Sequence, residues 1–579
     1  MKKVKKTDVR PIKDLKDLLQ SSCKLHGSKN AFYIKTDGQN YKGITYNEFK
    51  NDVDALGTVL LNLGLKDKFI AVMSENRYEW CVTYLATANG VGVIVPLDKD
   101  LPTAELENLL RRSNASAIVY SGKHHDQLLE ISQNLPHIKY FINMDINEHI
   151  DNRFLSLKAL IAAGKELLNR GDVEYLNATI DENAMNFLIF TSGTTDLAKG
   201  VMLSHKNICT DIIAVVSALY IDSNDSILSI LPMHHTYACT VDFLTFIYAG
   251  GCISFNEGLK HISKNLKETK PTILILVPLI IENMYQKIWA QASKDWKLKC
   301  KLKLGLIVSS FLYNCLKIDI RRKIFKQVID SFGGRIRLII AGAAAIEPNV
   351  IKGLRNMGVL TLQGYGLTEA SPIVAVNRDD KCKDDSVGLP LPGVEVKLVD
   401  VNKEGTGEII VRGGNVMLGY YQNEEATKKV LRDGWLYTGD LGRIDSEGFI
   451  YITGRKKNVI VTKNGKNIFP EEVESYINKS PYIKESLVTG RDDDEKNETV
   501  VTAQIVIDLE NIKQKLNNPN PSQEEIYKLI KSEIKQINKN MPLYKRIQDF
   551  TIRENEFAKT TTKKIKRYLE KPEQKANVQ

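Results

Sequence analysis

The sequence predicts an α/β fold, with a large N-terminal domain of mostly parallel sheets and flanking helices followed by a small α+β domain. Two observations lead to this prediction. Over most of the chain, short apolar segments alternate with helical patterns, which is typical of βαβ units. Beyond about Gly454 the predicted elements become shorter and more charged. We therefore expect one domain over residues 1–456 and a second over residues 457–579.

The N-terminal elements are assigned from local patterns. Thr45 and Glu48 have the spacing of a capping box, apolar residues follow at helical intervals, and Gly64 suits the end of that helix. Short apolar runs predict strands at residues 69–73, 117–120, 140–142 and 338–340.

The C-terminal part has a different pattern. Strands are expected at residues 485–490, 499–507 and 549–552. Between the last two lies an amphipathic helix, expected over residues 524–540. The residues that face inward on it are Ile526, Leu529, Ile530, Ile534 and Ile537.

The composition limits the kinds of ligand that the protein is expected to bind. The chain has 579 residues and a formal net charge of +10, with lysine-rich segments at both ends. A positive field suits anionic ligands such as nucleotides, coenzyme A, fatty carboxylates, anionic membranes or nucleic acids, although lysine-rich solvated faces explain most of the excess. We expect no nucleic-acid partner, because the basic residues are not interleaved with aromatic ones.

The cysteines and the apolar runs indicate where in the cell the protein is expected. None of the eight cysteines lies in a CxxC pair, which disfavours a zinc or redox site and suits reduced thiols in the cytoplasm. No apolar stretch follows the basic N-terminus, and no run reaches the ~18 apolar residues of a membrane-spanning helix. We therefore expect a cytoplasmic protein that contacts membranes peripherally at most.

Residues 296–326 leave two interpretations open. Lysines alternate with apolar residues from Lys297 to Lys303, an apolar run follows as far as Leu316, and three basic residues begin at Arg321. One interpretation is a surface that docks on anionic lipid, where each basic residue contributes about 1 kcal/mol. The other, which we prefer from the sequence, is a helical insertion with one buried face and one solvated basic face.

The strongest local motif is the loop over residues 191–200, which follows a predicted strand. Its small residues let the backbone approach a ligand closely and offer several N–H and O–H donors, while Lys199 adds a positive charge. This composition suits a phosphate cradle, but it lacks the residue order of the Walker P-loop.

Two other segments carry suitable chemistry. A histidine pair that ends at His235 lies on a predicted loop, with nothing beside it to complete a metal site. In residues 363–369, Tyr365 stands between glycines that let a flat base approach its ring. Thr368 follows as a donor for phosphate, and Glu369 as a hard oxygen ligand suited to Mg²⁺.

Together, seven segments resemble the motifs of the adenylate-forming superfamily in their usual order. They are residues 191–200, 231–237, 338–345, 363–369, 437–440, 454–458 and 559–567. The superfamily includes acyl-CoA synthetases, luciferases and the adenylation domains of nonribosomal peptide synthetases. Residues 465–472 and the long insertion before Gly333 look, more narrowly, like bacterial long-chain acyl-CoA synthetases.

The resemblance implies roles for individual residues. Asp440 and Arg455 would hold the ribose, and Lys457 would lie at the hinge of a mobile C-terminal domain. The implied catalytic residues are Lys564, Glu369 and His235, and the implied Mg²⁺ ligands are Thr191 and Glu369. The implied nucleotide-binding residues are Thr191, Ser192, Gly193, Thr194, Thr195, Lys199, Ala343, Ala344, Ala345, Gln363, Gly364, Tyr365, Gly366, Thr368, Asp440, Arg455 and Gly465.

Three positions depart from the usual pattern. Asp196 stands where the family has glycine, Ala198 where it has proline, and Lys563 where it has glycine before the catalytic lysine. These changes bear on loop mobility and nucleotide affinity, but they remove no reactive group.

The resemblance implies a ligase that uses ATP, Mg²⁺ and coenzyme A to activate a medium- or long-chain fatty acid. Alternatives within the superfamily are an aromatic acid as substrate or a carrier protein as acceptor. A non-catalytic lipid- or nucleotide-binding relative is a further alternative, and Asp196 in the phosphate loop is the feature that supports it.

Overall fold

The computed structural model describes residues 9–36, 40–191, 198–316, 318–462, 467–493, 498–559 and 565–570. In these ranges the helices are α1 (Leu15–His26), α2 (Tyr46–Asn62), α3 (Tyr78–Ala86), α4 (Thr103–Arg112), α5 (His125–Ile131), α6 (Leu157–Asn169), α7 (Glu174–Asn177), α8 (His205–Ala218), α9 (Thr245–Ala249), α10 (Ile262–Thr269), α11 (Pro278–Ser293), α12 (Trp296–Leu316), α13 (Arg321–Ile324), α14 (Lys326–Ser331), α15 (Pro348–Asn356), α16 (Glu424–Val430), α17 (Pro470–Ile477), α18 (Leu509–Leu516) and α19 (Gln523–Lys539).

Strands β1 to β16 lie in two large sheets. They are β1 (Asn30–Thr36), β2 (Asn40–Thr45), β3 (Lys68–Met73), β4 (Gly92–Pro96), β5 (Ala115–Tyr120), β6 (Tyr140–Asn143), β7 (Phe154–Ser156), β8 (Met185–Thr191), β9 (Lys199–Ser204), β10 (Ser226–Ser229), β11 (Cys252–Phe255), β12 (Ile273–Leu276), β13 (Leu338–Ala341), β14 (Leu360–Gly366), β15 (Ile373–Val376) and β16 (Leu389–Pro390).

The remaining strands form smaller sheets and one edge. They are β17 (Glu395–Val399), β18 (Gly407–Arg412), β19 (Gly419–Tyr420), β20 (Leu431–Arg432), β21 (Trp435–Ile444), β22 (Ile450–Arg455), β23 (Ile460–Val461), β24 (Asn467–Ile468), β25 (Ile483–Asp493), β26 (Glu498–Ile507) and β27 (Asp549–Arg553).

The two large sheets are parallel in their centres. One has the order β19-β9-β8-β4-β3-β5-β6-β7, and the other has the order β16-β15-β14-β13-β12-β10-β11-β1-β2. Strands β3 to β8 pair in parallel, as do β10 to β14, whereas antiparallel pairs lie towards the edges. The central strands are apolar throughout because helices cover both faces, and all four residues of β12 and of β13 are buried. The predicted α/β class is confirmed.

A single large apolar core joins the two sheets. It contains Ile70 and Ile94 from the eight-stranded sheet, Ile227 and Ile273 from the nine-stranded sheet, and side chains of α2, α3 and α8. The predicted capping box is present at the start of α2, where Thr45 and Glu48 bond to each other's backbone N–H groups. This shared core holds the carboxyl ends of strands from both sheets in one place.

The third sheet is antiparallel and follows the large sheets. Its order is β17-β18-β21-β20, and β22 pairs with β21. The register sets Asp440 on β21 directly opposite Arg455 on β22. The two residues that the sequence assigns to the ribose therefore start from neighbouring positions on one hairpin.

The last part of the chain has an apolar cluster of its own. Strands β25, β26 and β27 form a three-stranded sheet, against which α17, α18 and α19 pack. Helix α19 spans the predicted amphipathic segment, with Ile530 and Ile534 buried and its other predicted inward residues partly buried. The division of the chain after residue 456, and the mobility of the second part, stay proposals.

The segment that allowed two interpretations is largely a single helix. Helix α12 turns Leu302, Gly305 and Leu306 towards the protein, as the preferred interpretation requires. Its opposite face is exposed, but it carries large apolar side chains as well as lysines. The face towards the protein is partly buried, so that interpretation describes one face and is incomplete about the other. Within the described ranges, no helix combines the length and the apolar character needed to cross a bilayer.

Candidate active site

The candidate site forms where strands from both large sheets end. Thr191 is the last residue of β8 in one sheet, and residues 363–366 end β14 in the other. Carboxyl ends of parallel strands are the usual place for ligands in α/β proteins. Ala343, Ala344 and Ala345 follow β13, the neighbour of β14, and the last two are exposed.

One group of side chains surrounds the Asp440 carboxylate. The Tyr365 hydroxyl donates to Oδ2 of Asp440 at 2.6 Å, and Nε of Arg455 lies 2.8 Å from Oδ1. Burial lowers the pKa of the Arg455 guanidinium, but Asp440, Tyr365 and Glu369 outweigh it, so that the pKa is raised overall. The Asp440 side chain is only 6% exposed, and its charge is therefore compensated within the protein.

The part of β21 that carries Asp440 is held by further contacts. The Gly439 N–H donates to Glu408 at 3.1 Å, and the Lys456 ammonium lies 2.7 Å from the same carboxylate. Gly439 adopts a positive φ of 70°, a conformation that favours glycine. None of these contacts involves the Asp440 carboxylate or the Arg455 guanidinium. They therefore position both groups without occupying them.

A second group surrounds Glu369. The Tyr420 hydroxyl donates to Oε1 of Glu369 at 2.8 Å, and the Lys199 ammonium lies 5.0 Å from the centre of the Tyr420 ring. The Thr191 hydroxyl donates to the carbonyl oxygen of Lys199 at 3.3 Å. The fold thus links Thr191, Lys199 and Glu369 through Tyr420, which sequence reasoning missed.

This donor set suits Mg²⁺. A carboxylate and a hydroxyl are oxygen ligands, and Mg²⁺ binds proteins through one or two carboxylates while phosphates and waters complete its shell. In the described part of the chain, no three His, Cys, Asp or Glu residues form a cage for a metal. Glu369 and Thr191 therefore fit an ion that is shared with a phosphate ligand.

A cavity of about 110 Å³ lies beside this group. Its lining includes Arg112, Phe190, Lys199 and Tyr420. Nη2 of Arg112 donates to the carbonyl oxygen of Ala198 at 2.7 Å, whereas Nη1 is buried with no hydrogen-bond partner among the described residues. Arg112 is a further basic residue beside the site, and sequence reasoning missed it because it lies far from Lys199 in the chain.

The histidine loop is anchored from another part of the fold. The Asn76 amide donates to the Ser229 hydroxyl and the Leu231 carbonyl, and accepts from the Met233 N–H. The rings of His234 and His235 lie 4.2 Å apart.

The side chain of His234 is only 9% exposed. Burial lowers its pKa to about 3, and Nε2 lies 3.6 Å from Oδ2 of Asp98. His234 is therefore neutral near pH 7, and its approach to Asp98 is not an ion pair. The role of His235 stays a prediction.

The backbone directly after β13 is crowded at Gly342. A Cβ on Gly342 would lie 2.5 Å from the Tyr237 hydroxyl, and Ala343 adopts a φ of 71°. Non-glycine residues with such a φ are uncommon and concentrate at functional sites. This strand end is consistent with a wall for a ligand.

Gln363 behaves differently from its neighbours. Its side chain is buried and donates to the carbonyl oxygens of Asp384 and Ser386, at 3.2 and 2.8 Å. The amide therefore holds the adjacent loop. Gly364 and Gly366 are backbone positions of β14, and Thr368 lies beside Glu369 in a single helical turn.

Several predicted residues lie outside the described ranges. They are Ser192, Gly193, Thr194, Thr195, Asp196, Gly465, Lys563 and Lys564. The chain on either side of residues 560–564 is described, however, and Lys559 pairs with Ile565 in an antiparallel bridge. Nζ of Lys559 lies 2.8 Å from Glu485.

Arg567 attaches the end of this segment to the C-terminal sheet. Its guanidinium contacts the Glu474 carboxylate and donates to the Val488 carbonyl at 3.2 Å. Burial raises the pKa of Glu474 to about 7, although Arg567 opposes the shift. Lys559 and Arg567, the described residues that flank the predicted catalytic lysine in the chain, are therefore each held by a glutamate.

Comparison with known proteins decides the family. The profile described as AMP-binding enzyme matches residues 19–421, and the profile described as AMP-binding enzyme C-terminal domain matches residues 457–570. The chain belongs to the AMP-binding enzyme family. The resemblance to adenylate-forming proteins is thereby confirmed.

Several proteins that are similar to this AMP-binding enzyme are named CoA ligases. Long-chain-fatty-acid–CoA ligase 6 of Homo sapiens is 30% identical over 491 residues, which cover 80% of this chain and 70% of the human protein. Long-chain-fatty-acid–CoA ligase FadD15 of Mycobacterium bovis is 28% identical, over 77% of this chain and 75% of its own. The crystal structure of the anthranilate CoA ligase AuaEII with anthranoyl-AMP matches with a TM-score of 0.75 over 96% of both chains, at 20% identity, which shows a shared fold.

Proposed function

We propose that this AMP-binding enzyme is an ATP-dependent CoA ligase for a medium- or long-chain fatty acid. In the first half-reaction a carboxylate oxygen attacks the α-phosphorus of ATP and displaces pyrophosphate, which leaves an acyl-adenylate. In the second, the thiol of coenzyme A attacks the acyl carbon, loses its proton and releases AMP. The observation that supports the proposal is that Asp440 contacts Arg455 and Tyr365 of β14, while Glu369, just beyond β14, is linked through Tyr420 to Lys199 and Thr191.

The residues divide the work by chemistry. The Asp440 carboxylate accepts hydrogen bonds from the ribose hydroxyls, and Arg455 and Tyr365 keep it oriented. Lys199, together with the donors of residues 191–195, binds the phosphates. Lys564 offsets the negative charge that accumulates between the two reactants in the transition state. No protein nucleophile is required.

Glu369 and Thr191 would hold Mg²⁺, which supplies charge neutralisation of the triphosphate when bound. Tyr420 orients the Glu369 carboxylate for that contact through its 2.8 Å hydrogen bond.

The choice of a fatty acid rests on the relatives. The human and mycobacterial relatives are named long-chain-fatty-acid–CoA ligases. An aromatic acid is the alternative, and the anthranilate CoA ligase does not favour it, because a match at 20% identity informs the fold alone. We therefore place the fatty acid first.

Exchange of labelled pyrophosphate into ATP tests the proposal. Acetate, octanoate, palmitate and cinnamate are compared with the purified full chain and Mg²⁺. We expect exchange that octanoate or palmitate drives, and CoA-dependent release of AMP with the same acid. Exchange driven by cinnamate alone would favour the aromatic candidate. A folded protein that exchanges with no acid would instead support the non-catalytic alternative.

The two half-reactions separate the role of Lys564. We propose that residues 457–579 rotate about Lys457 between the steps and carry Lys564 away from the acyl-adenylate. Lys564→Ala should then lower the adenylation rate by about a hundredfold, because a cation is lost from the transition state. Thiolysis of supplied acyl-AMP should change little. Lys563→Ala is the matched control, and a larger adenylation loss in that variant would move the catalytic role by one residue.

A further inference from the structure

Helix α12 has apolar residues on two opposite faces. Leu302, Gly305 and Leu306 face the protein, and a Cβ on Gly305 would contact Ile324 and Phe325. Apolar character all round a helix is typical of one that is covered on all sides. Among the residues that the structure describes, only one side of α12 is covered.

The other face exposes large apolar side chains in a continuous stripe. Leu304 is 62% exposed, Ile307 67% and Phe311 58%, and Val308 is exposed between them. These residues lie three or four positions apart, so they share one side of the helix. Single exposed apolar residues are ordinary, but a stripe of this kind marks an interaction surface.

Positive charge flanks the stripe. Lys297, Lys301 and Lys303 are exposed on the first turns of α12, and residues 294–326 contain ten basic residues against two acidic ones. Trp296, at the start of the helix, is 70% exposed. Tryptophan prefers the boundary between water and hydrocarbon, because its ring is apolar and its N–H is polar.

We propose that this face docks on an anionic lipid bilayer. The α12 surface consists of Trp296, Leu304, Ile307, Val308 and Phe311, with Lys297, Lys301 and Lys303 at its margins. The helix lies in the plane of the interface, its apolar stripe enters the region between headgroups and acyl chains, and the lysines meet anionic headgroups. The inference is independent of the proposed function, since it requires no turnover.

Charge argues for lipid over a second copy of the chain. A symmetric dimer through the α12 surface would bring two lysine clusters with few acidic partners close together, and like charges repel. An anionic bilayer supplies both the apolar phase and the opposite charge.

Vesicle sedimentation with the full chain tests this inference. We use phosphatidylcholine vesicles, with and without phosphatidylglycerol, at moderate salt. We expect the wild-type chain to sediment with the anionic vesicles and to remain largely in the supernatant with the neutral ones. On anionic vesicles, tryptophan fluorescence should shift to the blue in the wild type and not in Trp296→Phe.

Variants separate the apolar stripe from the charge. Replacement of both Ile307 and Phe311 by Gln should weaken vesicle binding by about tenfold for each residue. Each replacement removes an apolar side chain that the bilayer would bury. Lys297→Gln with Lys301→Gln and Lys303→Gln should weaken it by about fivefold for each lysine. The matched controls are Leu25→Gln with Leu543→Gln, which replaces two other exposed leucines, and a triple replacement of Lys528, Lys531 and Lys535 by Gln.

Three outcomes would overturn the inference. They are absence of binding to anionic vesicles, equal loss in the variants and their controls, and a lipid-free dimer in light scattering that Phe311→Gln converts to a monomer. All α12 substitutions are at exposed positions, and circular dichroism and an unchanged unfolding midpoint confirm that each variant is folded.

Discussion

Two tyrosine hydroxyls hold the two carboxylates of the candidate site. Tyr365 donates to Asp440 at 2.6 Å, and Tyr420 donates to Glu369 at 2.8 Å. Burial, together with the facing carboxylate, raises the pKa of each phenol above its ordinary value, so both remain donors at neutral pH. A fixed carboxylate loses little freedom when it binds a ligand, which is the advantage of such preorganisation.

The substitution Tyr420→Phe tests whether the tyrosine hydroxyl preorganises the Glu369 carboxylate. Removal of the hydroxyl leaves Glu369 in place but free to rotate, so we expect the KM for MgATP to rise by about tenfold, the order of one hydrogen bond to a charged group. The concentration of Mg²⁺ needed for half-maximal activity should rise with it. Pyrophosphate exchange at varied MgATP and Mg²⁺ measures both.

Tyr78→Phe is the matched control for that change. It removes another tyrosine-to-carboxylate hydrogen bond of 2.8 Å, to Asp52, which lies in a different part of the N-terminal domain. Its KM for MgATP should equal that of the wild type. If Tyr420→Phe lowers the unfolding temperature and leaves the KM unchanged, Tyr420 supports the fold rather than the site.

At the scale of elements, residues 565–570, which follow Lys564 in the chain, are attached to β25 and α17. Arg567 joins Glu474 of α17 to the Val488 carbonyl of β25. A partly buried arginine that pairs with a buried carboxylate is costly to remove, because the partner is left without a counter-charge.

Arg567→Gln should therefore slow adenylation by about tenfold or more, since a loosely held lysine is misplaced for much of the time. Thiolysis of supplied acyl-AMP should be less affected. Arg491→Gln is the control, because it breaks an arginine–carboxylate pair with Asp549 at 3.0 Å on the same sheet. Equal losses in both half-reactions, or in both variants, would mean that Arg567 stabilises the sheet and does not position Lys564.

At the scale of the whole molecule, His205 joins distant parts of the N-terminal core. Its Nδ1 accepts from the Leu15 N–H at 3.1 Å, and its Nε2 lies 3.0 Å from the Ala88 carbonyl oxygen. Only the neutral ring with a proton on Nε2 satisfies both contacts. Burial lowers the pKa of His205 to about 4, compared with 6.5 for the free side chain.

This shift predicts a pH dependence of stability. The unfolded chain binds the proton below pH 6.5, whereas the folded chain resists it until about pH 4, so the contribution of His205 is present above pH 6.5 and lost as the pH falls towards 4. Between pH 7.5 and pH 5 the loss should be about 2 kcal/mol. Urea unfolding measures it as the difference between wild type and His205→Gln, which should shrink by that amount; a constant difference would contradict the assignment.

Local sequence patterns are sufficient to predict much of the structure of this molecule. The capping box at Thr45, the inward face of α19 and the alternation of strands and helices are all properties of neighbours in the chain, and the structure contains them. The order of short motifs was likewise sufficient to indicate the family. A resemblance cannot show contacts that this chain makes in its own way, however.

Contacts between residues that are far apart in the chain could be identified only from the folded structure. Tyr420 meets Glu369 across 51 positions because β19 pairs with β9, and Arg112 meets Ala198 across 86 positions because α4 ends beside the start of β9. Neither residue stands out by its type or by its spacing. Which side chain orients a carboxylate is decided by how sheets and helices pack.

The sequence by itself determined the fold class, the positions of the main elements and the family, because these depend on periodicity and on short motifs. Only the tertiary structure decided which of the two apolar faces of α12 is buried, since a helix with apolar residues on both sides has no preferred face until its neighbours are in place. It likewise decided that Asp440 faces Arg455 and that Glu369 is held by Tyr420, because strand register and sheet packing set those distances.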